Sequence, residues 1–128
     1  MCLHHLDDRV KEKYGKKEFG WKVFSQYDDE LEGVYTGGKI RPRKQWLRED
    51  RFRTDRCSTK ILNSQLIKYP AGWHIYLLRQ DARKNRWKKF NQHSFSHDVV
   101  KKVQFRRPVA WGRQDGCPIV VTKEIFIE

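Results

Sequence analysis

The sequence predicts an α+β fold: one domain over residues 1–128, with a mainly antiparallel, twisted sheet of five or six strands and one or two short helices. Three observations predict it. Runs rich in β-branched and aromatic residues recur along the chain, separated by Gly-, Pro- and Asp-bearing turns. Two polar stretches carry thin apolar stripes at helical spacing. The chain holds 128 residues, enough for one core, and 13% of them are aromatic, which a disordered chain of this charge would not show.

The elements follow in order. Phe19–Tyr27 (FGWKVFSQY) favours a strand. Residues 28–30 (Asp-Asp-Glu) read as a turn, and residues 32–36 (EGVYT) as the returning strand. Residues 41–50 (RPRKQWLRED) predict a short helix, with Pro42 at the first helical position and Arg43, Trp46 and Leu47 near one stripe. Residues 51–65 have weak periodicity and predict loop. A Pro-Ala-Gly turn at 70–72 leads into a strand over 73–78. Residues 80–90 lack Pro and Gly and predict a second helix, with Ala82, Trp87 and Phe90 as its stripe. Residues 93–98 predict loop. Val99, Val103 and Phe105 alternate with Lys102, Gln104 and Arg106, the period of a half-buried strand. A short segment follows Pro108. Asp115-Gly116 supplies the positive φ of a hairpin turn, and residues 119–127 (IVVTKEIFI) form the last strand.

Charge narrows the function. The net charge is +12, more than solubility asks for. It is also uneven: residues 1–32 hold six basic and eight acidic side chains, whereas residues 33–128 hold 22 basic and eight acidic. Such a localised surplus points to a polyanionic partner. There is no lipidation signal, no basic amphipathic helix and no apolar run long enough to span a bilayer, so no membrane partner is expected. The N-terminus lacks the order of a signal peptide. The three cysteines, Cys2, Cys57 and Cys117, are distant and odd in number. They predict no disulfide framework, and a reducing cytoplasm is the expected location.

Basic residues interleave with aromatics in two main clusters. The first holds Arg41, Arg43, Lys44, Arg48, Arg51 and Arg53 around Trp46. The second holds Arg83, Lys84, Arg86, Lys88 and Lys89 around Trp87. Lys101, Lys102, Arg106 and Arg107 add a third. Cations neutralise phosphates and release counterions, and exposed rings stack on unpaired bases. The expected partner is therefore nucleic acid, RNA or single strands, or a ribonucleoprotein. The same residues are open to a plainer reading, with the charges solvated and the tryptophans in the core.

Two residues carry an enzymatic alternative. Cys2 would become an N-terminal nucleophile on removal of Met1, its own amine serving as base. His74 follows a tight turn at the start of a strand and is a candidate acid–base group, or else a packed and hydrogen-bonded core residue. No glycine-rich phosphate loop, nucleophile elbow or zinc-protease helix accompanies them. Cys2, His4 and His5, or His93 and His97, lack the paired spacing of a zinc site. No metal and no cofactor is expected.

The motifs Gly20-Trp21-Lys22-Val23-Phe24, Gly72-Trp73-His74-Ile75-Tyr76 and Val109-Ala110-Trp111-Gly112-Arg113, with the Met-Cys start, resemble a group of small uncharacterised proteins of bacteriophages and mobile elements. The resemblance carries no activity with it but implies a phage or mobile-element origin, which would make the expected cytoplasm that of a host cell. Small phage proteins of this size are often inhibitors of host defence, including CRISPR effectors. Many such inhibitors are acidic mimics of DNA. A charge of +12 excludes that mechanism and shifts the expectation to a guide RNA, target DNA or an acidic protein groove.

Overall fold

The computed structural model describes residues 3, 5–27, 30–33, 39–40, 45–48, 56–60, 66–70, 72–86 and 97–128. In chain order the elements are β1 (His5–Leu6), α1 (Asp8–Tyr14), β2 (Phe19–Tyr27), β3 (Glu30–Gly33), β4 (Lys39–Ile40) and β5 (Leu47–Arg48). There follow β6 (Arg56–Lys60), β7 (Leu66–Pro70), β8 (Trp73–Tyr76), α2 (Arg79–Arg86), β9 (His97–Gln114) and β10 (Cys117–Ile127). The fold is α+β. Five antiparallel strands, β2, β3, β8, β9 and β10, make its centre, and the remaining strands extend the same sheet. The β1–β6 contact is parallel.

The β9–β10 hairpin organises the sheet. Asp115 and Gly116 take φ of 50° and 79°, so Gln114 and Cys117 pair across a two-residue turn. Both central residues of such a turn need positive φ, which Asp tolerates and Gly adopts freely. β2 pairs with the first half of β9, and β8 pairs with the first half of β10. Trp21 of β2 also pairs with Tyr76 of β8, so pairings run in a closed circuit β2–β9–β10–β8. That closure needs Gly20: a Cβ there would lie 2.6 Å from both Ile75 Cγ2 and the Tyr76 carbonyl oxygen.

Two apolar clusters lie on either side of β10. Val120 joins Val10, Phe24, Trp73, Ile75, Leu77, Val103 and Phe105. Its neighbours Ile119 and Val121 join Leu3, Tyr76, Ala82 and Ala110 instead. Alternating side chains point to opposite faces, so α1, through Val10, and α2, through Ala82, pack on opposite faces of this strand.

Several elements differ from the sequence reading. The helix expected at 41–50 is not what forms at Leu47–Arg48, which add as strand β5 to the edge of β10. Strand pairing there outweighs a local preference that rested on Pro42 and a thin stripe of Arg43, Trp46 and Leu47. Residues 56–60, expected as loop, pair as β6 with β7. His97 and Asp98, also expected as loop, begin β9. β9 runs through Pro108 without ending. Ala110 faces Val121 and Pro108 faces Thr122, so Val109 is an extra residue, a bulge that accommodates the missing proline N–H. α1 has no counterpart in the sequence reading, because its apolar stripe is only Val10 and Tyr14. Its start is set by Asp7, whose carboxylate accepts the Arg9 backbone N–H at 3.0 Å, a cap worth about 1 kcal/mol.

Candidate functional site

Three neighbouring strands build a basic and aromatic surface. Glu124 of β10 lies directly opposite Arg48 of β5 on one side and Arg106 of β9 on the other. Residues opposite one another across paired strands share a face. Arg106 Nε donates to Glu124 Oε2 at 2.6 Å, and Arg48 Nε lies 3.4 Å from Oε1. Arg107 should point away, since consecutive strand residues alternate faces. Its φ of 58° breaks the alternation, and its Nε also reaches Glu124 Oε2, at 3.4 Å. A left-handed backbone at a non-glycine residue carries strain, and such strain gathers at functional positions.

The carboxylate is buried, at 5% side-chain exposure, whereas the arginines keep 55% (Arg48), 50% (Arg106) and 64% (Arg107) of theirs. Glu124 therefore anchors the cationic groups from below while they face solvent. Arg106, followed by Arg107 and Arg48, holds the Glu124 carboxyl below its ordinary range against the opposing effect of burial.

Aromatic rings frame this group. Arg106 sits over the Trp46 ring at 4.1 Å from its centroid, and Trp46 meets Phe126 at 5.9 Å. Trp111 packs edge-on to Phe105 at 6.4 Å. A cleft of about 620 Å³ runs between them, lined by the 15–18 segment after α1, Trp46, residues 104–108 and Trp111. Its cations are Lys16, Lys17, Arg106 and Arg107, and its acid is Glu18. Lys17 is committed to the fold: its ammonium donates to the Leu77 carbonyl at 2.9 Å and lies within 6 Å of the Tyr14, Phe19 and Trp21 ring centres.

The structure brings together only part of the sequence-predicted set. Trp46 and Arg48 stand at or beside the cleft. Arg83 and Lys84 are exposed on α2 and do not line it. Arg86 ends α2. Arg41, Arg43, Lys44, Arg51, Arg53, Trp87, Lys88, Lys89 and Cys2 lie outside the described residues. Arg106 and Arg107 belonged to the third cluster in sequence. Lys16 and Trp111 were missed, since only the packing of α1 and the long reach of β9 bring them to the same cleft.

His74 lies in the core, 8% exposed. Its Nδ1 is 3.2 Å from the Gly72 carbonyl oxygen, and its own carbonyl accepts from Lys22 Nζ at 3.0 Å. Burial, with the Lys22 charge in addition, pushes its pKa down to about 3. An imidazole neutral at pH 7, buried on β8 opposite Val121 of β10 and held at the Gly72 carbonyl, supports the packed reading of this residue.

Among the described residues, no three His, Cys, Asp or Glu side chains are placed to hold a metal ion, and no helix is long and apolar enough to cross a membrane. No known protein family, curated protein or solved structure matches the chain.

Proposed function

We propose that the protein is a nucleic-acid-binding protein that grips single strands or RNA without catalysing a reaction on them. The observation that carries this reading is the cleft at 104–111, where Arg106 and Arg107 stand beside Trp46 and Trp111. Guanidinium groups form bidentate contacts with phosphate, and aromatic rings take unpaired bases. The cleft is concave. Duplex DNA is read by a helix or ribbon that protrudes into its groove, whereas a concave site accepts a group that protrudes from the ligand. A ribonucleoprotein with exposed single-stranded RNA offers the same chemistry, and the resemblance to phage proteins makes one of host defence the partner to try first.

Fluorescence anisotropy with a labelled single-stranded RNA tests the reading. With roughly four phosphate contacts on a single strand, affinity falls about 50-fold between roughly 50 and 200 mM salt. Charge reversal at Arg106 and Arg107 together weakens binding to unrelated sequences alike. Absence of binding to any single strand at low salt overturns the proposal. A pull-down that survives nuclease treatment then assigns the basic surface to an acidic protein instead.

A further inference from the structure

We infer that the cleft is a subsite for one unpaired nucleotide within a strand, its phosphate held by Arg106 and Arg107 and its base set against Trp46 and Trp111. The inference rests on the nucleic-acid-binding reading and names the ligand unit that the site accepts.

Four observations carry it. The first is size: about 620 Å³ lies inside the ~300–1,000 Å³ range of sites for single small molecules, so the cleft takes one unit of a polymer. The second is the kink at Arg107. A regular strand would send Arg106 and Arg107 to opposite faces, yet the φ of 58° turns both toward Glu124. Two adjacent guanidinium groups on one side make a four-pronged donor set suited to a tetrahedral anion.

The third observation is the use of donors. Each arginine meets Glu124 through Nε, and a guanidinium carries five N–H donors, so one such contact leaves its Nη groups available to a second anion. Both side chains are at least half exposed, as an incoming phosphate requires. Glu124 acts as a positioning residue, holding the forks in place without blocking them. The fourth is the pairing of ring with cation. Arg106 lies against Trp46, and Trp111 lines the same cleft, so a base has an aromatic surface within reach of the phosphate donors.

The test uses the full chain and four probes: adenosine, inorganic phosphate, AMP and the dinucleotide ApA. Binding is read from tryptophan fluorescence and from the NMR shifts of the indole N–H groups. AMP shifts the Trp46 and Trp111 resonances, and adenosine and phosphate each bind at least about tenfold more weakly. ApA, which carries the internal diester of a strand, binds more tightly than AMP. Arg107→Gln lowers AMP affinity about tenfold, whereas Lys11→Gln, an equal loss of charge on the exposed side of α1, changes it less than about twofold. Should Arg107→Gln fail to fold, Arg107→Lys keeps the charge, loses the fork and shows the same loss.

AMP that leaves both indole signals unmoved, or an Arg107 variant of unchanged affinity, overturns the subsite. Weaker binding of ApA than of AMP overturns it in favour of a free nucleotide. If single-stranded RNA still binds in a salt-dependent way in those cases, the proposed function stands and only the subsite falls. If RNA binding is absent as well, both fall.

Discussion

Two buried ionisable side chains make the protein acid-sensitive by separate routes. His74 is folded in its neutral form, with a pKa near 3 against an ordinary 6.5. Between those values the unfolded chain binds a proton that the folded chain refuses. Stability therefore falls as pH drops from about 6.5 towards 3. Asp7 acts lower. Its carboxylate accepts from Arg9 Nε at 3.1 Å and Arg113 Nε at 3.0 Å, and chiefly the Arg9 bond lowers it from 3.8 to about 2. Its stabilisation is present above pH 4 and is lost as pH falls through 2. The two windows barely overlap, so they separate by mutation. His74→Gln keeps a hydrogen-bonding side chain but removes the titration. In urea unfolding at pH 7 and pH 4.5, the wild type loses stability between the two values and His74→Gln loses much less. An equal loss in both proteins would show that the imidazole is not held neutral.

At the scale of elements, two glycines serve the sheet for different reasons, and mutation distinguishes them. Gly20→Ala sets a Cβ against the Ile75 side chain and the Tyr76 carbonyl, where β2 closes on β8. Overpacking of this kind costs about 1–3 kcal/mol. At Gly116 an added Cβ meets nothing within 4 Å, yet φ is 79°. Gly116→Ala costs about 1–2 kcal/mol through the left-handed backbone alone. Denaturant titration measures both. In a double-mutant cycle, Ile75→Ala, which removes the Cγ2 that the new Cβ meets, relieves part of the first cost and none of the second. The two positions also mark what was legible in the sequence. Asp115-Gly116 declares its turn locally, and the alternation over 99–106 declares its strand. The gap that Gly20 fills is set by β8, some fifty residues away, and no local pattern encodes it. β5 was hidden for a related reason: two residues, Leu47 and Arg48, become a strand only because the edge of β10 is there to receive them. The candidate site was half legible. Its residue types showed as clusters of Arg and Trp, but no local pattern sets Glu124 apart from other acids, and the turn of Arg107 toward it depends on the β9 backbone beside the bulge at Val109.

For the whole molecule, the decisive quantity is how much of the +12 charge is answered internally. Ion pairs among the described residues concentrate cations on few acids: Arg9 and Arg113 share Asp7, and Arg48, Arg106 and Arg107 share Glu124. At Glu124, Arg106 and Arg107 alone outnumber the one carboxylate they share, and such a surplus repels itself across the surface. Salt then acts in two opposed directions. It screens the self-repulsion of the folded state, with a Debye length that shrinks from about 30 Å at 0.01 M to about 8 Å at 0.15 M. Over the same range it weakens the grip on a phosphate backbone. The protein without nucleic acid should therefore unfold at a higher urea concentration in 0.15 M salt than in 0.01 M, while its affinity for single-stranded RNA drops. On the proposed nucleic-acid-binding reading, RNA added at low salt should raise the unfolding midpoint by linkage, and that gain should fade as salt rises. A charge answered throughout by neighbouring carboxylates behaves otherwise. Screening would then weaken attractions, the midpoint in the absence of RNA would fall with salt, and the basic surface would have no surplus left to offer a polyanion.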